Sequence, residues 1–203
     1  MDISVLLAVY NGEDFLGLTL DSLLLQDFSS YEVIVVDDGS TDGTYDIIQK
    51  YTSKKVRVIR LEENRGLANA LNIGLEACSG EYIARLDGDD IAHQNWLSVL
   101  YESSQCTKNK ECSIFAPGFY IFETDVFARR NYYWQFNLNS RLLSYIIPFY
   151  NPIPHSGVLV RKKAFFDVGC YSTDKKYPFQ DVYLWYRMLK NGVSICWVKA
   201  RLI

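Results

Sequence analysis

The fold class of this chain is decided by residues 32–40, which read EVIVVDDGS. Residues 32–36 are a run of strand length, rich in valine and isoleucine, and the run ends abruptly in two aspartates and a glycine. A helical pattern follows at once, and Thr41 or Asp42 is its predicted N-cap. A buried strand that leads through a polar loop into a helix is one unit of an α/β fold.

The same alternation of strand and helix signals fills the first hundred residues. Further strands are predicted over 4–9, 56–61 and 81–86, and further helices over 13–26, over 66–78 and from Trp96 onward. This order predicts a Rossmann-like, mostly parallel sheet with helices on both faces. Ligands of such folds bind beyond the carboxyl ends of the strands. Polar clusters follow three of these strands, at residues 10–13, 37–38 and 87–90, and we therefore expect one composite site there.

The second half of the chain predicts a smaller, mixed region. Strands are expected over 112–129, with a turn near Glu123-Thr124-Asp125, and over 158–161 and 193–198; helices are expected over 138–147, 162–168 and 181–190. No internal repeat, low-complexity tract or linker separates the two halves. We therefore expect a single domain over residues 1–203.

Composition and charge exclude several classes of protein. Hydrophobic residues make up 49% of the 203 residues and charged residues 22%, which is ordinary for a globular protein and excludes disorder. The net charge of -3 gives no indication of nucleic-acid binding. The cysteine count is odd and no pair has C-x-x-C spacing, which favours reduced thiols in a cytoplasmic protein. The five are Cys78, Cys106, Cys112, Cys170 and Cys196.

Nothing in the hydropathy pattern predicts a signal peptide or a membrane span. The N-terminus lacks a basic region and a long apolar stretch, and no run approaches the roughly 20 apolar residues of a spanning helix. The apolar stretch 142–150 is short and contains Pro148. Contact with a membrane surface is one interpretation of this stretch, and we favour a buried helix end.

The acidic loop Asp87-Gly88-Asp89-Asp90 is a candidate cation site. Carboxylates about 4 Å apart repel each other by about 1 kcal/mol in water and about 4 kcal/mol at the effective dielectric of a protein surface. A cation removes this cost, and ligands that are all oxygen suit Mg²⁺ or Mn²⁺. A solvated acidic turn is the alternative, but the position directly after the strand 82–86 favours a site.

Four other polar positions each carry a structural alternative. Asp38 can accept hydrogen bonds from a ribose or a base. Alternatively, it is an acidic residue near a helix N-terminus, where it interacts favourably with the helix dipole. Arg65 precedes a helix N-terminus, which suits an anion, or is an ordinary surface arginine. His155 stands in a loop made rigid by prolines, as a positioned functional group would require, or is a lone structural histidine. Asp181 begins a helix, where an N-cap is the local interpretation and a general base is the functional one.

Taken together, these clusters resemble family 2 glycosyltransferases of the GT-A fold. The similarity is carried by residues 4–13, with V-Y-N-x-E; by 32–44, which contain the aspartate pair; by 63–70, like N-x-G-x-x-x-A; by 86–90, like D-x-D-D; by 155–161 with 169–171; and by 180–189, like E-D-x-x-L-W-x-R-L. The resemblance runs nearly end to end. It implies that residues 1–105 bind a nucleotide-sugar and that residues 106–203 form the acceptor side.

The resemblance assigns a role to each candidate residue. Binding of the nucleotide-sugar donor, a UDP-sugar, is expected at Ala8, Tyr10, Glu13, Asp38, Arg65, Asp87, Gly88 and His155. A Mg²⁺ or Mn²⁺ cofactor is expected at Asp89 and Asp87, with Asp90 as an alternative ligand. Asp181 is the expected general base of an inverting transfer to a hydroxyl of a glycan or lipid-linked acceptor. The implied enzyme makes cell-surface polysaccharide in the cytoplasm, with peripheral contact to the inner face of the membrane.

Two departures from the family pattern keep another function open. Gln180 replaces the usual glutamate before the base, and no Q-x-x-R-W segment follows, which argues against a processive polymerase. The sequence ends soon after its last predicted strand, so we expect a truncated acceptor side. A glycosyltransferase-fold binding module without turnover, or a fragment, is therefore the alternative function.

Three other enzyme classes lack their motif in this sequence. A dehydrogenase requires G-x-G-x-x-G after the first strand, where residues 10–13 read YNGE. A sugar-phosphate nucleotidyltransferase requires a first loop rich in glycine and basic residues. A phosphatase of the haloacid dehalogenase type requires threonine or valine at the place of Asp90.

Overall fold

The computed structural model describes residues 1–53, 55–106, 111–121, 132–134 and 136–203. The strands are β1 (Ile3–Val9), β2 (Tyr31–Asp37), β3 (Val56–Arg60), β4 (Tyr82–Arg85), β5 (Cys112–Ile121), β6 (Tyr132–Trp134), β7 (Leu159–Arg161) and β8 (Ser194–Arg201). The helices are α1 (Leu16–Leu24), α2 (Thr44–Tyr51), α3 (Leu67–Ala77), α4 (Trp96–Gln105), α5 (Ser140–Ile146), α6 (Lys162–Asp167) and α7 (Gln180–Lys190). The predicted turn near residues 123–125 lies outside the described residues.

The described strands form one sheet in the order β3-β2-β1-β4-β7-β5-β6, and β8 pairs with β5. The first four are parallel to one another, which confirms the Rossmann-like prediction. Beyond β4 the sheet is mixed, because β7 is antiparallel to β4 and to β5, whereas β8 is parallel to β5. The smaller mixed region predicted for the second half is this part of the sheet.

The central strands are buried on both faces. All seven residues of β1 and all seven of β2 are buried. In β1, Leu6 and Ala8 pack in a core that also holds residues of α3, α5, α6 and α7. Val5, Leu7 and Val9 point the other way, into a core that holds residues of α1, α2 and α4. This two-sided burial leaves the carboxyl edge of the parallel strands as the place for polar groups.

The stretch 142–150 is not the buried helix end predicted from sequence. Only Leu143 and Ile147 of this stretch lie in the core. Tyr145 is 62% exposed and Phe149 is 91% exposed, so the outer face of α5 and its end meet solvent. In α5 the apolar residues outnumber those that one buried helix face can hold. Within the described part of the chain, no helix is long and apolar enough to cross a membrane.

Candidate active site

The loops after β1 and β2 are locked together by hydrogen bonds. The bonds run from Asn11 N to Ser40 Oγ (3.0 Å), from Gly12 N to Thr44 Oγ1 (2.8 Å), from Thr41 N to Asn11 Oδ1 (2.9 Å) and from Gly43 N to Glu13 Oε2 (2.6 Å). Asn11 holds a positive φ of 51°, which asparagine tolerates better than most residues. Residues 10–13 are therefore a loop rather than the first turn of a helix, and α1 begins only at Leu16.

Three predicted donor-binding residues lie in β1 or in the loop after it. Tyr10 is 47% exposed at the carboxyl end of β1, while Ala8 is buried within that strand. Glu13 accepts the bond from Gly43, the N-cap residue of α2, and so satisfies one of the free N–H groups at that helix end. The predicted contacts of Tyr10 and Glu13 with a nucleotide stay predictions, and the structure adds a positioning role for Glu13.

The aspartate pair at the end of β2 anchors the loop before α3. Asp38 is 3% exposed, and its Oδ1 and Oδ2 accept the backbone N–H groups of Arg65 (2.8 Å) and Gly66 (2.9 Å). Asp37 is fully buried and accepts from Ser40 N at 3.0 Å. Asp38 thus sets the backbone path that presents the half-exposed Arg65 side chain at the strand ends.

A buried cation lies under the acidic loop. Arg85 is the last residue of β4 and is 1% exposed. Its guanidinium donates hydrogen bonds to the carbonyl of Leu86 and to Oδ1 of Asp87. Burial acts to raise the pKa of Asp87, but the charge of Arg85, its hydrogen bond and the interaction with His155 together outweigh burial and lower that pKa. We did not single out Arg85 from the sequence, although a charged residue inside the apolar run 81–86 was a signal.

The rest of the acidic loop keeps its carboxylates available. The backbone carbonyl of Gly88 accepts a hydrogen bond from Thr19 Oγ1 at 2.9 Å, which connects the loop to α1. Asp89 is exposed. Burial, together with the charges of Asp87 and Asp89, raises the pKa of Asp90. This mutual repulsion is what a bound cation would relieve.

The residues present fit a divalent cation that is shared with a diphosphate. In the described ranges, no three His, Cys, Asp or Glu side chains converge into a complete ligand set. Mg²⁺ usually keeps waters and takes only one or two carboxylates together with substrate phosphates. The bond from Arg85 goes to Oδ1 of Asp87 and not to Oδ2, and Asp89, two residues further along the loop, is exposed. Such a set of hard oxygen ligands suits Mg²⁺ or Mn²⁺.

His155 and Tyr171 form the inner wall beside the acidic loop. Nε2 of His155 lies 3.1 Å from the hydroxyl of Tyr171, and the two rings meet edge to face. Burial, with the charge of Arg85 adding to it, lowers the pKa of His155 to about 3. The imidazole is therefore neutral near pH 7, and it can serve a ligand as a hydrogen-bonding group rather than as a charge. The next residue, Ser156, accepts the backbone N–H of Asp87 at 3.0 Å.

Asp181 lies in the first turn of α7, and the N-cap interpretation is wrong. The N-cap residue is Phe179, without a side-chain capping bond. Oδ2 of Asp181 instead accepts from Nδ2 of Asn151 at 3.2 Å. Asn151 is itself fixed, because its Oδ1 accepts the N–H of Ile153 at 3.1 Å. Sequence reasoning missed Asn151, for which the only signal was its place before Pro152.

The loop 151–156 contacts both the acidic loop and Asp181. Nδ2 of Asn151 donates to Oδ2 of Asp181 at 3.2 Å, and Oγ of Ser156 accepts the backbone N–H of Asp87 at 3.0 Å. This loop therefore joins the two acidic elements, although they are almost a hundred residues apart in sequence. The parallel sheet, continued by a mixed region and covered by helices on both faces, has the GT-A fold of glycosyltransferases.

Comparison of sequences gives the family. The model of Glycosyl transferase family 2 matches residues 4–168, and the chain belongs to that family. An uncharacterized glycosyltransferase of Haemophilus influenzae is 29% identical over 94% of this chain and 61% of its own length. The Bacillus subtilis glycosyltransferase TuaG, named for teichuronic acid biosynthesis, is 46% identical over 61% of this chain and 48% of its own length.

The name of a third relative specifies its donor, acceptor and linkage. It is the Escherichia coli UDP-Glc:alpha-D-GlcNAc-diphosphoundecaprenol beta-1,3-glucosyltransferase WfaP, 33% identical over 61% of this chain and 47% of its own length. This chain therefore spans about half to two thirds of the length of these relatives.

Comparison of structures supports the fold. S. aureus TarS 1-349 in complex with UDP has a TM-score of 0.77 and 25% identity, over 100% of this chain and 59% of that chain. The mannosyltransferase PcManGT from Pyrobaculum calidifontis, solved with GDP-Man and Mn²⁺, has a TM-score of 0.70 and 19% identity, over 98% of this chain and 54% of that chain.

Proposed function

We propose that this chain transfers a sugar from a nucleotide-diphosphate donor, a UDP-sugar, to a hydroxyl of a glycan or lipid-linked acceptor, with inversion at the anomeric carbon. The observation that carries the proposal is that one loop, residues 151–156, contacts both acidic elements: Ser156 accepts the backbone N–H of Asp87 in the acidic loop, and Asn151 donates to the carboxylate of Asp181. TarS, which is 25% identical, was solved with UDP, and this supports the choice of donor.

On the donor side, the loops after β1, β2 and β4 would hold the nucleotide and its diphosphate. Tyr10, Asp38 and Arg65 would border the base and ribose, since they share the carboxyl edge of the parallel strands. Asp89, with Oδ2 of Asp87, would hold Mg²⁺ or Mn²⁺ against the diphosphate oxygens. When bound, such a cation neutralises charge on the departing diphosphate.

On the acceptor side, Asp181 would act as the general base. Its carboxylate takes the proton of the acceptor hydroxyl while that oxygen attacks the anomeric carbon. The bond from this carbon to the diphosphate oxygen breaks in the same displacement, and the nucleoside diphosphate leaves with the electron pair. Asn151 would orient the base through its hydrogen bond to Oδ2 of Asp181. Since one displacement suffices, no covalent nucleophile is required.

We further propose that residues 1–203 act as a single domain, with a donor part over 1–105 and an acceptor part over 106–203, in cell-surface polysaccharide synthesis. The name of WfaP specifies an acceptor on a polyprenyl diphosphate, and such an acceptor is anchored in a membrane. We therefore place the activity in the cytoplasm, at the inner face of the membrane.

Calorimetric titration of UDP with Mn²⁺, and again with EDTA, tests the donor half of the proposal. We expect tight binding only with the metal, and loss of at least tenfold in affinity for Asp89→Ala, about 1.4 kcal/mol. Asp46→Ala, an exposed aspartate in the first turn of α2, is the matched control and should bind like the parent. Metal-independent binding, or equal behaviour of both variants, would contradict the metal role.

Donor turnover tests the base. Hydrolysis or transfer should fall by at least a hundredfold in Asp181→Asn and remain unchanged in Asp174→Asn, an exposed carboxylate in the loop before α7. UDP binding should survive in both. A parent protein that binds UDP and Mn²⁺ without any turnover, across the nucleotide-sugars offered, would instead favour the binding module.

A further inference from the structure

The outer side of α5 and α7 carries an apolar surface that the proposed reaction does not use. On α7 the residues at positions 179, 182, 183 and 186 recur at helical spacing, on the side opposite the buried Leu184 and Met188. The surface, which we call the α5–α7 face, comprises the exposed Leu142, Tyr145, Phe149 and Phe179 together with the partly buried Tyr183 and Tyr186.

Contacts between the two helices make the α5–α7 face continuous. The ammonium of Lys190 lies 5.1 Å from the centre of the Tyr145 ring and 5.6 Å from that of Tyr186. A groove of about 490 Å³ runs between Pro148, at the end of α5, and the α7 side, where Phe179 lines it. Residues from two separated stretches of sequence therefore share one surface.

The exposed area of this face is unusual for a water-facing surface. Phe149 is 91% exposed and Phe179 is 71% exposed, the former more than any other large hydrophobic residue described. Apolar area left in water costs free energy, and contiguous patches of it usually mark a binding surface. We therefore expect this face to bind a partner whose surface can pack against aromatic side chains.

The C-terminal part of the sequence, which includes α5 and α7, carries a net positive charge. Residues 126–203 contain 12 Lys and Arg but only three Asp and Glu, a net charge of +9, whereas residues 1–125 contain nine and 21, a net charge of -12. Lys176 lines the groove, Lys190 lies over Tyr145 and Tyr186, and Lys175 is the neighbour of Lys176 in sequence; all three are exposed. Asp174 is the neighbouring acid, and its carboxylate is bonded to the backbone N–H of Lys176. Charge asymmetry of this kind favours an anionic partner.

We propose that the α5–α7 face docks on the surface of an anionic lipid bilayer, with Phe149 and Phe179 among the headgroups and the lysines against lipid phosphates. Aromatic side chains mixed with lysines suit the membrane interface. A second copy of the chain fits less well, because two faces of the same positive charge would repel. The inference deepens the membrane location in the proposed function and rests on it.

Sedimentation of the full chain with vesicles tests this inference without any turnover. Vesicles of equal parts phosphatidylglycerol and phosphatidylcholine should bind the protein, whereas phosphatidylcholine alone should not. Binding should weaken as salt is raised. The double variant Lys175→Glu/Lys176→Glu should bind at least about twentyfold more weakly, since each cation near such a surface contributes about fivefold. Phe149→Ser/Phe179→Ser should also lose binding.

Two matched controls separate the face from general effects. Leu25→Ser removes an apolar residue that is 72% exposed outside the face, and Lys50→Glu reverses an exposed charge on α2 in the acidic half. Both should bind vesicles like the parent, and thermal unfolding should show that all variants fold.

Absence of binding to the anionic vesicles at low salt would overturn the inference, as would equal loss in the controls. A dimer that Phe149→Ser/Phe179→Ser dissociates would overturn it in favour of a second copy. Because UDP binding and donor turnover are measured in solution, failure of vesicle binding is distinguishable from failure of the proposed transferase.

Discussion

Replacing Arg85 by methionine is the sharpest test of the buried cation under the acidic loop. The substitution keeps much of the apolar stem but removes the bonds to Asp87 and to the Leu86 carbonyl. Breaking a buried ion pair from one side costs about 3–5 kcal/mol. Because 34% of the Asp87 side chain stays in contact with water, we expect about 3 kcal/mol. For a chain of this size, that lowers Tm by about 6–12 °C.

The loss of stability should depend on pH with a definite sign. In the parent, the lowered pKa of Asp87 means that its ionised form adds stability above the unfolded value of about 3.9, and that this contribution is lost as the pH falls through the folded value. In Arg85→Met, burial acts on Asp87 without the cation, so the ionised carboxylate destabilises the fold. The difference between the proteins should be largest near neutral pH and narrow below about pH 4.

Urea denaturation at several pH values measures this difference, provided that the slope of the transition is unchanged. Arg57→Met is the control, because the Arg57 side chain is 54% exposed in its pair with Glu32 and should contribute less than about 1 kcal/mol. The double variant Arg85→Met/Asp87→Asn should recover more than about 1 kcal/mol, since both partners of the pair are gone. A loss equal to that of Arg57→Met, or one independent of pH, would refute the reasoning.

Three further predictions follow from the site. Gly39→Ala should lower the free energy of unfolding, measured by urea denaturation, by about 2–3 kcal/mol. The residue has a φ of +72°, and a Cβ there would lie 2.5 Å from the backbone carbonyl carbon of Glu63. An unchanged transition would contradict this prediction. Asn151→Ala should lower kcat about tenfold while leaving the donor KM within about twofold, because it removes the orienting bond to Asp181, and Asn151→Gln should restore part of the rate. The NMR shifts of the His155 ring protons should not change between about pH 5 and pH 8. Burial, with a smaller contribution from the charge of Arg85, lowers the pKa of His155 to about 3. A titration midpoint between about pH 5 and pH 8 would contradict this prediction and show that the imidazole is charged in an open site.

The sequence by itself determined the parallel half of the fold and the edge at which the site lies. Runs such as 33–36 are apolar at every position, and their β-branched residues, short length and closely following glycine favour a strand covered on both faces. Since parallel strands place their carboxyl ends at one edge, Asp38 and the loop 87–90 had to lie near each other. The roles of donor residues, metal ligands and the base came from the family resemblance and remain proposals.

Only the tertiary structure decided which groups hold the site in shape. The bonds of Arg85 to Asp87 and of Asn151 to Asp181 depend on which side chains packing brings into reach, and no local period encodes them. The partial burial of His155 and the exposure of Phe149 depend equally on what the rest of the chain covers. Periodicity predicts that a segment has an apolar face, but a partner must exist to cover it, and the described chain leaves Phe149 and Phe179 of the α5–α7 face largely exposed.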